Sequence, residues 1–151
     1  MENNNIEMNK VIADFRKILE KRGIAYELNN NDLNMIRFRS QLPTHEQVMP
    51  LILIHFNDEN GALSLALSRI AEFTNGGPDL YKVINDFNAD PKNFACKMYV
   101  ENDGQLVVLV NSIIKSEDVC SIIEEYIKII IIATDSYYDR ISELFENTDN
   151  N

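Results

Sequence analysis

Tryptophan is absent from this 151-residue chain, and histidine and cysteine occur only twice each. His45 and His55 stand ten positions apart with no Cys or His partner at metal-ligand spacing, which excludes a finger- or ribbon-type zinc site; no cofactor is expected. Cys96 and Cys120 sit among apolar neighbours and form no CxxC pair, the pattern of buried thiols in a reducing compartment. Five glycines and four prolines are too few for a fibrous or low-complexity chain, and 45% hydrophobic residues is a folded domain's composition. Basic residues are scarce: 14 Lys+Arg face 24 Asp+Glu, a formal net charge of −10. Nucleic acid and anionic membranes are therefore not expected as partners, because affinity for them is built on phosphate neutralisation. Long apolar runs are missing too. The most apolar stretch, residues 129–133, lies between Lys128 and Asp135, far short of the ~20 residues that a bilayer requires.

The length suits one core, and the expected unit is a single domain over residues 1–151. The Asn-rich ends, residues 1–5 and 147–151, are expected to fray. Residues 1–5 lack the basic start and apolar stretch of a signal peptide, so a cytoplasmic location is expected.

Over residues 6–22 the apolar positions Met8, Ile12, Phe15 and Leu19 follow helical spacing, and Gly23 supplies a left-handed stop. A short strand over 24–28 is expected next, then an alternating strand over 34–42 with Ile36 and Phe38 on one face and Arg37, Arg39 and Gln41 on the other. Residues 47–56 are apolar on both parities, so this strand is expected to be either central or covered on its second face, although Pro50 donates no ladder bond. After the turn at 58–61, a strand over 62–72 puts Leu63, Leu65 and Leu67 on one face and Ala62, Ser64, Ala66 and Ser68 on the other. That small-residue face is expected to admit a closely packed helix or, failing that, to floor a shallow groove. A second helix follows Asp79, with Leu80, Val83, Ile84 and Phe87 turned inward. Asn102-Asp103-Gly104 is a strong hairpin signal between a strand over 94–101, with Phe94, Cys96, Met98 and Val100 on one face, and a strand over 105–111.

Ser116 is placed to cap a last helix. Its residues Val119, Ile123, Tyr126, Ile130, Ala133, Tyr137, Ile141 and Leu144 make one helical stripe. Ile127, Ile129, Ile131, Ile132 and Tyr138 lie off the stripe, so around 126–138 the helix is apolar nearly all round. Either another helix of the chain covers the second side, or a second copy does. Ile127, Ile131 and Tyr138 are the candidate dimer or partner contacts.

Residues 84–112 carry Asn85 and Asn88 at a helix end, Lys97 and Tyr99 on a strand, the Asp103-Gly104 turn and an apolar strand over 106–110. This run resembles the YbjN-like family, described mainly as candidate bacterial sensory-transduction regulators. The resemblance implies the fold of type III secretion chaperones: an α+β domain with a twisted antiparallel sheet packed by helices, in the order α-β(3-4)-α-β-β-α, often dimeric. The acidic residue that the family usually carries after its last strand is replaced by Asn111-Ser112.

No nucleophile elbow, P-loop or calcium loop is present. The carboxylate pairs Asp86/Asp90, Glu101/Asp103 and Asp135/Asp139 read as solvated faces, and His55 as a hydrogen-bonded strand histidine. The expected function is a non-catalytic, homodimeric, chaperone-like interaction module that holds a partner polypeptide on an apolar surface. The alternative is a small-ligand sensor with a pocket between the sheet and the second helix, lined by Ser64, Ser68, Asn85 and Asn88.

Overall fold

The computed structural model describes residues 9–146. The ends expected to fray, and Met8 of the first helical stripe, lie outside that range. The chain runs α1 (Lys10–Lys21), β1 (Tyr26–Asn29), β2 (Asp32–Arg39), β3 (Leu51–Asn57), β4 (Ala62–Ser68), α2 (Pro78–Ala89), a 3₁₀ turn (Pro91–Asn93), β5 (Lys97–Val100), β6 (Leu106–Ile113) and α3 (Val119–Glu146). The strands form one open antiparallel sheet in the order β1-β2-β3-β4-β6-β5. The fold is thus α+β, with three helices on a six-stranded sheet. None of its described helices is long and apolar enough to cross a membrane.

Helix α1 starts where Asn9 caps it: the side-chain oxygen accepts from Val11 N at 2.9 Å and from Ile12 N. The same amide donates to the Phe56 carbonyl at 2.8 Å, tying the helix entry to β3. Gly23, at φ +69, ends the helix as its position predicts. For α3 the cap differs from expectation. Asp118 accepts from Ser121 N, while Ser116 accepts from Asp118 N one turn earlier.

Every strand shifts at one boundary or both from the sequence reading, β2 ending at Arg39 instead of 42, and three of the shifts have a plain local cause. Pro50 precedes β3 and leaves its ladder intact. Strand β4 stops at Ser68 because Arg69 takes φ 56, a left-handed kink after which Ile70 and Ala71 both turn into the core. Strand β5 begins only at Lys97, since the 3₁₀ turn takes up the preceding residues; Phe94 is 78% exposed rather than on the inner face.

All three helices lie on one side of the sheet. Helix α1 packs on β2, α3 on β4 and β6, and α2 on β5. The core between the layers holds Ile12, Phe15 and Leu19 from α1, Ile52, Ile54, Leu65, Leu67 and Val108 from the sheet, Val83 and Phe87 from α2, and Ile123, Ile130 and Ile141 from α3. The central position of α3 explains why it is apolar nearly all round. On one flank Cys120 Sγ meets the Val11 carbonyl and Glu124 pairs with Arg22 at 2.7 Å. On the other, Tyr137 sets its ring edge-on to Phe87, centroids 5.1 Å apart, and donates to Asp90 at 2.9 Å, while Arg140 donates to Asp86 at 2.7 Å. Neighbouring helices of the same chain therefore flank it on both sides.

The sheet's two edges are unequal. Asn88 donates to the Met98 carbonyl at 3.0 Å and accepts from Met98 N at 2.7 Å, so its amide takes the outward backbone groups at the middle of β5. At the other edge, β1 is four residues long and, among the described residues, pairs only with β2.

Candidate functional site

The side chains opposite the helices form a layer that no described element of this chain covers. Its rows follow from strand register. Met35, His55, Ser64 and Asn111 lie abreast, then Arg37, Leu53, Ala66, Leu109 and Lys97, then Arg39, Leu51 and Ser68. Asn57, Ala62 and Ile113 make the last row at the opposite end. The expectation that a helix seats on the Ala/Ser face is overturned: the Leu63-Leu65-Leu67 face takes the helices. Bulky aliphatic side chains bury more apolar area there than the small ones would. The Ala/Ser side instead floors a shallow depression of about 650 Å³ bordered by His55, Asn57, Ser64, Asn111 and Ile113.

The centre of this face is aliphatic and partly exposed, and Ile113 is 66% exposed. Charge gathers at one end. Arg37, Arg39 and Arg69 border a depression of about 430 Å³ together with Tyr26, Glu27 and Leu51. Arg37 spends Nε on Glu27 at 2.6 Å and pairs with the same carboxylate through Nη2. Arg39 donates one Nη1 bond to the Met49 carbonyl at 2.9 Å. Among the described residues Arg69 has no hydrogen-bond or ion-pair partner. At the far end His55 Nε2 lies 3.4 Å from Asp32.

A second constellation closes the β2–β3 connection onto α3. Asp135, 9% exposed, accepts from Thr44 N at 3.2 Å and from Thr44 Oγ1 at 2.9 Å. His45 places Nδ1 2.7 Å from Asp135 and Nε2 2.7 Å from Asp139, and its ring packs on Tyr138 with centroids 4.7 Å apart. A carboxylate on each ring nitrogen is the arrangement that favours the protonated imidazole, which donates from both. Hydrogen bonds donated to Asp135, then to Asp139, raise the His45 pKa above its ordinary value. Burial pushes Asp135 up, but the bonds from His45 and Thr44 outweigh it and hold the carboxyl below the usual range. With both nitrogens engaged, His45 has no lone pair for a metal.

The residues singled out from sequence are scattered by this geometry. Ile127, Ile131 and Tyr138 are each partly buried against the chain's own core, and the large apolar side chain of α3 that projects is Ile132, 62% exposed. Ser64 and Ser68 are on the uncovered face, away from α2, so they line no space between sheet and helix. Asn88 is committed to β5, and Asn85 is exposed on α2. A groove does lie between α2 and the β5–β6 turn, bordered by Leu80, Tyr81, Ile84 and Tyr99, without any of those four residues. The Asp86/Asp90 and Asp135/Asp139 pairs, expected as solvated faces, serve as locks between elements. Burial pushes the Cys96 thiol up to about 11, which leaves it protonated and unreactive at neutral pH.

No family model, curated protein or solved structure matches the chain.

Proposed function

We propose that the protein is a non-catalytic interaction module of the cytoplasm that holds a polypeptide against the uncovered face of its sheet, in the manner of type III secretion chaperone-like and YbjN-like regulators. One observation carries the reading. Helices cover one face of a six-stranded sheet, while the opposite face keeps an aliphatic centre at Leu51, Leu53, Ala66 and Leu109 with charged side chains at its margins. An apolar centre with a polar margin is the anatomy of a protein interface. The element order and the Asn88–Met98 brace at the family-like segment support the same assignment. Self-association through α3 keeps less support, because α1 and α2 already flank that helix. A photo-crosslinking residue at Leu53 tests the proposal. Polypeptides of the native host should be captured from position 53 and not from Lys17 on α1; equal capture from both positions refutes it.

A second reading, a small-ligand sensor, is favoured by the groove between α2 and the β5–β6 turn, where Tyr81 and Tyr99 offer two exposed rings. A metabolite that raises the melting temperature of the wild type but not of Tyr81→Ala would support it.

A further inference from the structure

The partner's chemistry is written into the charge of the uncovered face. The chain as a whole carries −10, yet the outward side of the sheet holds Arg37, Arg39 and Lys97 against Glu27 and, at the far end beside His55, Asp32, with Arg69 added where β4 ends. Three guanidiniums thus converge beside the aliphatic centre, and Glu27 is the acid among the side chains bordering that depression. Its carboxylate engages Arg37 alone. Arg39 uses one of its five N–H donors and Arg69 uses none. Unspent guanidinium donors on a partly apolar surface suit carboxylates, which they bind in pairs of charge-assisted hydrogen bonds.

We propose that the occupant of this face is an acidic amphipathic segment of another protein, with its apolar side chains on Leu51, Leu53 and Leu109 and its carboxylates on Arg37, Arg39 and Arg69. The inference rests on the interaction reading above and adds the partner's charge to it. A second copy of the chain fits less well. Stacking two such faces about a two-fold axis brings together layers with the same surplus of arginine and lysine, and like charges across an interface are costly. A basic segment meets the same repulsion here. Against a chain of net charge −10, a cluster of arginines beside an apolar centre is a local attraction for an acidic segment, which turns that cluster into specificity. The dimensions agree: six strands about 4.8 Å apart span roughly 24 Å, the length of a helical segment of about 16 residues.

Fluorescence anisotropy with three synthetic amphipathic peptides of about 16 residues, sharing the same leucines and carrying Glu, Gln or Lys at the polar positions, tests the proposal. The wild type should bind the Glu peptide at least about tenfold more tightly than the Gln peptide. The triple variant Arg37→Gln, Arg39→Gln, Arg69→Gln should bind both equally. Leu53→Asp should lose both, with the circular dichroism of each variant unchanged. Equal binding of Glu and Gln peptides by the wild type, displaced by Leu53→Asp, overturns the acidic assignment and leaves the interaction surface standing. Preference for the Lys peptide overturns the assignment as well. If no peptide binds and the wild type is a dimer that Leu53→Asp dissociates, the face belongs to a second copy and the proposal fails.

Discussion

At the scale of single residues, His45 shows how a side chain acquires a role from partners about ninety positions away in the chain. Nothing near it in sequence announces the arrangement. Asp135 and Asp139 are one helical turn apart, a spacing that also arises by chance among twenty-four acids, so only the path of the β2–β3 connection makes the triad. Its pH behaviour has a definite sign. The folded pKa of His45 is raised above 6.5, so its contribution to stability is full below about pH 6.5 and is lost as pH rises through the folded value. Asp135, held below 3.8, contributes above that value and loses its contribution as pH falls through the depressed one. The stability difference between wild type and His45→Gln, measured by urea unfolding at stepped pH, should therefore be largest between those limits and shrink on the alkaline side. A difference that stays constant from pH 6 to pH 9 contradicts the clamp. Arg69 is equally silent in sequence: no pattern foretells a left-handed arginine at the end of an alternating strand.

At the scale of elements, periodicity and turn chemistry were legible and boundaries were not. The step pattern of Ile12, Phe15 and Leu19 and the stop at Gly23 define α1 directly, and Asn102-Asp103-Gly104 forms the turn between β5 and β6, with Gly104 at φ +88. A Cβ at Gly104 would fall on the Phe73 carbonyl, so local propensity and tertiary packing favour the same residue. What the sequence did not disclose is that β6, not β5, lies beside β4. Antiparallel alternation specifies a face for each strand but says nothing of which neighbour it takes. Length decides here: the eight-residue β6 is sandwiched, and the four-residue β5 is left at the rim, where a short strand exposes few unpaired groups. Asn88 finishes that rim. Asn88→Ala leaves the Met98 amide and carbonyl without their side-chain partner and should cost about 1–3 kcal/mol. Hydrogen exchange resolved to single amides should show Met98 losing protection while Val108 on the adjacent strand keeps it.

At the scale of the whole molecule, the arrangement divides apolar surface between two fates. The isoleucines of α3 are a surplus in sequence because a sheet alone covers only one side of a helix. The flanking positions of α1 and α2 supply the missing cover, and only the order of elements in space reveals this. Ile131→Asp should accordingly destabilise the folded protomer by about 1–3 kcal/mol, because it places a charge against the core's margin. Denaturant unfolding reads that loss, and light scattering of the same variant separates it from a change in oligomeric state. The exposed aliphatic centre lies instead on the strands whose alternation was plain in sequence. Alternation with Arg37 and Arg39 marked one face of β2 as polar, while the mixed parity of residues 51–56 concealed that Leu51 and Leu53 share that outer side.

The unequal rims of the sheet also limit how the molecule can assemble. Because the Asn88 amide occupies the middle of β5, β1 is the edge that, among the described residues, keeps its backbone row unbraced. Joining β1 to β1 would leave outward only the rim that Asn88 braces, so edge-to-edge growth of the sheet is disfavoured beyond that first step.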